Sequence, residues 1–513
     1  MSIHLCPRRP AAVGALLLAL VLSGAGPARA AAPAAPAPVF LRLLRIMENK
    51  GMLSPREAAS LRRDLEAQEQ DLRQRRRDLE AWERALEQRE RALVPGKGAP
   101  SAGEEKAAAG WPVRVSYHRG LVFSSPDPNR FHFRLGTLLQ ADYRRYFWAG
   151  RDPNQDRFDL RRVRLFLEGR VGSLWRGRFE YEFQGAGSRH LLDAWVQAQP
   201  WSLARFRLGQ FKTPFGLETS TKDRDIFFAE RSMGYWLGPR RDLGLMAWGT
   251  AARDRLWYGL GLFNGDGSDD TTGGDQDEPS LVGRLVWAPF RLAGPAWLRG
   301  LQLGGSFSYA DIDRNNVHLE VRTPGYDTFL SFTSSAKFGV VREAGHLERG
   351  GLELAWNWGP LAFMAEHTRL QFQDLVTSEG SFDLAAQDTY LAGLWMLTGE
   401  QPRFERGVLQ PIFPRRGLGR GAWGAWGLAL RWDHFEAGEE VYRYLVDPGI
   451  SVRRADALSL ALNWWLDDSV RLILDYTHTN FDRPLMVGRD PLTGEGIYHD
   501  DIDLVTLRCQ FGL

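Results

Sequence analysis

Arginines recur two residues apart at Arg162 and Arg164 and at Arg205 and Arg207, and singly at Arg134, Arg144, Arg170, Arg178, Arg284, Arg431, Arg471 and Arg508. A planar guanidinium fork matches the oxygens of phosphate and carboxylate, so such a set is suited to holding or passing anions. Acids are interspersed on the same pattern, at Asp142, Glu168, Glu180, Glu182, Asp193, Glu353, Asp433 and Asp475. Cross-strand pairing with these acids is the plainer role for any one arginine. Lysine is scarce, and beyond the N-terminal region only Lys212, Lys222 and Lys337 occur. Lys212, Lys222, Arg224, Arg240 and Arg241 lie in or beside the segment 213–240, and with Lys337 they are candidates for a constriction. Charge on the wall of a narrow, water-filled passage acts strongly on a passing ion because the walls focus the field.

Other chemistry is not indicated. There is no nucleophile elbow, zinc spacing or P-loop, so neither catalysis nor a cofactor is expected. The acidic, glycine-rich stretch Gly265 to Glu278 could hold Ca²⁺ but lacks the spacing of a known calcium loop, and a solvated surface loop is the simpler reading. The net charge of +2, with no basic run interleaved with aromatics, gives no reason to expect nucleic-acid binding.

The elements that would align the arginines have a period of two. From Phe131, Phe133, Leu135, Leu139 and Tyr143 alternate with His132, Arg134, Gln140, Asp142 and Arg144. Val163, Leu165 and Leu167 alternate with Arg162, Arg164 and Glu168, which leaves Arg161 on the outward face by strict alternation. The last segment sets Val505, Leu507, Cys509 and Phe511 against Thr506, Arg508 and Gln510. A soluble sandwich alternates too. Aromatics at the strand ends separate the two cases: Tyr143, Tyr146, Phe147, Trp148, Trp248, Trp257, Trp287, Trp356, Trp358, Trp432, Trp464 and Trp465 read as the interfacial girdles of a membrane barrel. Short turns near Gly172–Leu174, Pro200–Ser202, Arg253–Asp254, Gly359–Pro360 and Asp467–Asp468 alternate with long polar loops at Ala149–Arg157, Thr213–Arg240, Asn264–Pro279 and Asn480–His499. Keeping each on its own side gives sixteen strands, with Phe329–Arg342 forming a hairpin inside a long loop from Ala310 to Arg349. Gly399 to Gly421 is long yet falls on the short-turn side. Either the parity fails there or this segment folds into the barrel mouth.

The N-terminal region is organised differently. Residues 1–30 read as a secretory signal, with Arg8 and Arg9, an apolar run from Ala11 to Leu22 and the cleavage site Ala28-Arg29-Ala30. An Ala/Pro linker spans 31–39. Over 40–94, Leu65, Leu72, Leu79, Leu86 and Leu93 recur every seven residues, a coiled-coil pattern, with a solvated single helix as the alternative. A second linker spans 95–112 and the barrel 113–513. Removal of the signal takes Cys6 and leaves Cys509, so no intrachain disulfide is expected. The fold class is therefore all-β, a transmembrane antiparallel β-barrel of sixteen strands preceded by an α-helical coiled-coil segment.

Several blocks in the barrel resemble the phosphate-selective porin O and P family. They are Arg161-Arg162-Val163-Arg164, Asp193-Ala194-Trp195-Val196, Gly209-Gln210-Phe211-Lys212-Thr213-Pro214-Phe215-Gly216, Ala229-Glu230-Arg231-Ser232, Leu397-Thr398-Gly399-Glu400, Gly421-Ala422-Trp423 and Asn463-Trp464-Trp465-Leu466. The resemblance implies a trimeric barrel in the outer membrane of a Gram-negative bacterium, surrounded by lipid, narrowed by inward-folded loops and lined by an arginine ladder. It would pass small anions by diffusion, phosphate or polyphosphate among them. The family's phosphate sites use lysines on constricting loops, for which Lys222 and Lys337 are the candidates here, and the chain ends Phe511-Gly512-Leu513 where such barrels end on an aromatic. The coiled coil would stand in the periplasm, within reach of peptidoglycan. The alternative is a structural tether, with a plugged barrel as its anchor.

Overall fold

The computed structural model describes residues 113–513 apart from 128–129, 148–155, 185–189, 266–278, 312–317, 334–344, 378–379, 447–448, 450 and 491–492. The secretory signal, both linkers, the coiled-coil segment, Trp148, Lys337 and nearly all of the acidic Gly265–Glu278 stretch lie outside the described residues.

Period-two sequence becomes strand throughout the rest. A short hairpin of β1 (Arg114–Tyr117) and β2 (Leu121–Ser124) pairs onto the first wall strand, β3 (Phe131–Tyr146). The wall continues through β4 (Arg157–Val171), β5 (Trp175–Glu182), β6 (Leu191–Ala198), β7 (Arg205–Lys212), β8 (Arg241–Ala251), β9 (Leu256–Phe263), β10 (Ser280–Trp287) and β11 (Gln302–Asp311). A loop hairpin, β12 (His318–Arg322) and β13 (Thr328–Thr333), precedes β14 (His346–Trp358), β15 (Leu361–Thr377) and β16 (Gly380–Met396). A second small hairpin, β17 (Phe404–Glu405) and β18 (Val408–Leu409), precedes β19 (Ala425–Ala437), β20 (Arg454–Trp465), β21 (Val470–Arg489) and β22 (Gly496–Gly512). The wall strands pair antiparallel in chain order, and Gly512 to Leu504 of β22 pair with Leu138 to Tyr146 of β3. This closes a sixteen-stranded barrel. Closure leaves no strand edge for lipid to face, which hydrocarbon requires of any sheet that crosses it.

Burial follows the alternation. On β19, Ala425, Ala429, Arg431, Asp433 and Phe435 are buried inward while Leu430 and Trp432 are exposed outward. Trp175, Trp201, Trp287, Trp358 and Trp395 are exposed around the short-turn end, an aromatic ring at one interface. Four of the expected girdle residues turn inward instead. Tyr146 and Trp465 are buried inside, and Trp248 and Trp257 line an internal cavity, because their places in the alternation point them at the lumen.

Three connections differ from expectation or resolve an open choice. The expected loop Asn480–His499 is mostly strand: β21 and β22 run on past two register irregularities to Arg489 and Gly496, since polar side chains do not prevent backbone pairing. The loop hairpin is centred earlier than Phe329–Arg342, with Phe329 in its second arm. The Gly399–Gly421 connection keeps the parity by folding into the barrel, where Gln302 Nε2 donates to Phe404 O (2.6 Å) and Arg284 Nη2 to Gly407 O (2.8 Å).

Candidate functional site

The lumen is divided by the segment 213–240, which runs from β7 to β8 inside the barrel. Its sequence dictates this course. Leu217, Phe227, Phe228, Met233 and Leu237 are 0–3% exposed, and their removal from water stabilises the inward position by roughly 2 kcal/mol each. The facing wall makes room with small residues: Ala355, Ala362, Ala392, Ala425, Ala429 and Ala461 point inward and pack with Leu217, Phe227 and Phe228.

An irregular buried segment needs partners for its backbone, and wall side chains supply them. Glu366 accepts from Leu217 N (2.6 Å) and Glu218 N (2.8 Å). Asp475 accepts from Ala229 N (2.7 Å), and Asp433 accepts from Met233 N (3.0 Å). Asn463 Nδ2 donates to Phe227 O (3.0 Å), and Arg471 Nη2 to Ile226 O (2.8 Å). Arg431 Nη1 donates to Glu230 O (3.1 Å), and Arg508 to Ala229 O. Arg144 Nη1 reaches Gly325 O of the loop hairpin (2.9 Å). Four arginines of the expected ladder, Arg144, Arg431, Arg471 and Arg508, are thus at most 2% exposed, placed between wall and inserted loops. Alternation turns them inward, as expected, but the lumen at that height is filled with protein.

The opposite face of the inserted segment meets the strands β3 to β8. Glu230 accepts from Arg161 (2.7 and 3.1 Å), Arg162 (3.4 Å) and Arg508 (2.7 Å), with Arg144 at 3.6 Å. Asp223 accepts from Arg164 and from Arg231 (2.7 Å). Burial disfavours charge on both carboxyls, but the arginines around them prevail and hold them well below the usual carboxylate range. Arg161 reaches Glu230 because the β3–β4 register shifts by one residue between Gln140 and Ala141. This bulge turns inward a side chain that strict alternation placed outside. Tyr326, at a φ of 74° in the tip of the loop hairpin, lays its ring 3.9 Å from the Arg161 guanidinium.

Two cavities remain between the inserted segment and this wall. The loop-end cavity, about 350 Å³, is lined by six arginines and four carboxylates, with Arg161, Arg162, Glu230, Arg240 and Tyr326 among them. The turn-end cavity, about 560 Å³, is lined by eleven arginine and lysine side chains against five carboxylates. Arg164, Asp223 and Arg241 line both, which makes them the throat. Of the candidates, Arg162 and Arg240 line the first cavity, and Arg178, Arg205, Arg207, Lys212, Lys222, Arg224 and Arg284 the second. Arg134 lies in neither lining and pairs with Glu168 (3.2 Å).

Wall acids tie down part of this set. Arg164 pairs with Glu182 (2.7 Å), Arg241 with Asp193 (2.9 Å), Arg178 with Glu168 and Glu180 (2.7 Å each), and Arg284 with Glu353 (2.6 Å). Arg205 and Arg207 have no carboxylate partner among the described residues, and Arg207 donates instead to Gln197 Oε1 (2.9 and 3.1 Å). Sequence reasoning passed over Asp223, Glu230 and Arg231 as site residues. The signal was present: Phe227-Phe228 and Met233 sit in what read as a polar loop, and apolar residues there imply burial.

The family model of phosphate-selective porins O and P matches residues 133–495. Porin O of Pseudomonas aeruginosa is 25% identical over 393 residues, covering 71% of this chain and 86% of the relative. Among solved structures, the anion-selective porin from Comamonas acidovorans is 12% identical with a TM-score of 0.46, covering 75% of this chain and all of its own. The outer membrane channel DcaP of Acinetobacter baumannii is 10% identical with a TM-score of 0.47, covering 76% and 99%. Since the family match spans the barrel from its first wall strand to the last hairpin and takes in the inserted segment and the throat, this chain belongs to the phosphate-selective porin O and P family.

Proposed function

We propose that the barrel is a passive pore preferring small anions, its selectivity set at the throat of Arg164, Asp223 and Arg241 and in the cavity below it. Family membership carries outer-membrane placement and a channel role rather than an enzymatic one. The observation that carries the anion preference is the excess of eleven basic over five acidic side chains around the turn-end cavity. In a confined aqueous passage such an excess raises the local anion concentration and lowers that of cations. Phosphate is one candidate cargo. Lys222, Arg224 and the throat arginines offer it donors, and the description of the family as phosphate-selective supports the class of solute. The working unit in this reading is a homotrimer, with the segment 40–94 on the periplasmic side.

Ion currents through the purified full-length protein in planar bilayers test this. Under a potassium chloride gradient the reversal potential should have the sign of chloride preference. A potassium preference would overturn the assignment, and phosphate gradients place phosphate relative to chloride.

A further inference from the structure

The two cavities differ in more than charge. In the turn-end cavity three arginines without a tight place in the packed half of the lumen lie on aromatic faces. The guanidinium of Arg207 is 4.1 Å from the centre of the Trp195 ring, that of Arg205 is 4.4 Å from Trp248, and that of Arg178 is 4.6 Å from Phe166. Trp257 stands beside Trp248, with ring centres 6.5 Å apart and planes tilted by 41°. All of these line one space of about 560 Å³, within the size range of small-molecule sites.

A guanidinium stacked on a ring keeps its N–H edge available while its face is occupied. Arg205 Nη1 is buried without a hydrogen-bond partner, and neither Arg205 nor Arg207 has a carboxylate partner among the described residues, so their remaining N–H groups are the ones left to face the cavity. Donors are therefore presented at the margin of a surface of indole rings. A small hydrated inorganic anion would use the donors and gain nothing from the rings. An anion with a flat apolar body would use both, because ring surface removed from water adds to the ionic contact. The loop-end cavity also sets arginines on aromatic faces, Arg161 on Tyr326 (3.9 Å) and Arg240 over Trp236 (5.1 Å), but Arg161, Arg162, Arg164 and Arg231 are engaged there by Glu230, Asp223 and Glu182, and Arg241 by Asp193.

We infer that the turn-end cavity binds organic anions carrying a carboxylate on a planar apolar or aromatic body. The carboxylate meets the edges of Arg205 and Arg207, and the ring lies against Trp195, Trp248 and Trp257. The inference deepens the anion-pore reading and rests on it.

The test is block of the chloride current by added benzoate, acetate or inorganic phosphate, using the full-length protein in planar bilayers. Benzoate should half-block at a concentration about tenfold below acetate, the ratio expected from burying roughly 55 Å² of ring. It should also block below phosphate. Trp248→Ala and Trp195→Ala should each raise the benzoate value several-fold and leave the ratio of acetate to phosphate in place. Trp287→Ala, on the outward face, should move neither, and heat-modifiable electrophoretic mobility confirms that each variant has folded. Equal block by benzoate and acetate in the unaltered protein overturns the inference, as does strongest block by phosphate, while the anion pore stands. Absence of current, or potassium preference, overturns the pore reading and the inference with it.

Discussion

Arginines that alternation makes equivalent should behave in two distinct ways, and replacing Arg241 and Arg508 separates them. Arg241 lines both cavities at the throat. With Arg241→Gln, Asp193 keeps its contact with Arg178 (3.1 Å), so no carboxylate is left without a cation. One positive charge about 6 Å from a passing ion contributes roughly 0.7 kcal/mol in a water-filled passage. Its loss acts with opposite sign on anion and cation, so with a screening length of about 10 Å the permeability ratio should fall about fourfold at 0.1 M salt. At 1 M salt, where the screening length shrinks to about 3 Å, most of the difference should vanish. Arg508 is 0% exposed and holds Asp142 (2.7 Å twice) and Glu230 (2.7 Å). Arg508→Gln leaves buried carboxylates with one partner fewer, at a cost of about 3–5 kcal/mol. It should lower the temperature at which the folded band converts in electrophoresis while shifting selectivity less than twofold. The assays are reversal potential in bilayers and heat-modifiable mobility for both variants. Selectivity unchanged in Arg241→Gln at low salt, or a large selectivity change with full stability in Arg508→Gln, would refute the division into throat and anchor residues.

Further consequences can be measured in the same preparations. Asp223 and Glu230 are held well below the usual carboxylate range, so both stay ionised as pH falls to the ordinary carboxylate range. The shift in reversal potential caused by Asp223→Asn should therefore be the same at about pH 8 and at about pH 5, since protonation of this carboxylate sets in only at lower pH. A shift that shrinks towards pH 5 would count against the throat geometry. Gly209 has a φ of +126°, and a Cβ there would sit 2.1 Å from Ala194 O, so Gly209→Ala should destabilise the barrel by about 2 kcal/mol, read as a lower conversion temperature. Deleting residues 40–94 should leave single-channel conductance intact. Loss of envelope attachment with that deletion, in cells that still insert the barrel, would favour the tether.

The strand count was legible because a closed barrel with lipid outside and water or protein inside imposes a period of two on every wall strand, and hydrophobic alternation records it directly. Connection parity then excluded the stretch around Phe329 as a wall strand and left Gly399–Gly421 with two readings. The contact of Arg284 with Gly407 decided between them. Which face an arginine took was likewise readable, with the exception of Arg161, because a bulge adds a residue without a marked change in composition.

What the inward face meets was decided by tertiary structure alone. Alternation assigns Arg164, Arg178 and Arg207 to the same interior as Arg144, Arg431 and Arg508, and nothing local distinguishes them. The difference arises where the segment 213–240 lies, against the alanine-lined wall from β14 to β21, so that one half of the lumen is packed and the other remains open. Long-range burial of Leu217, Phe227 and Phe228 fixes that course. It brings Asp223 and Glu230 to arginines some sixty residues away in the chain. By itself the sequence determined the barrel, the inward arginines and the family. Only the fold could settle which arginines touch water, because that depends on which half of the interior the inserted segment fills.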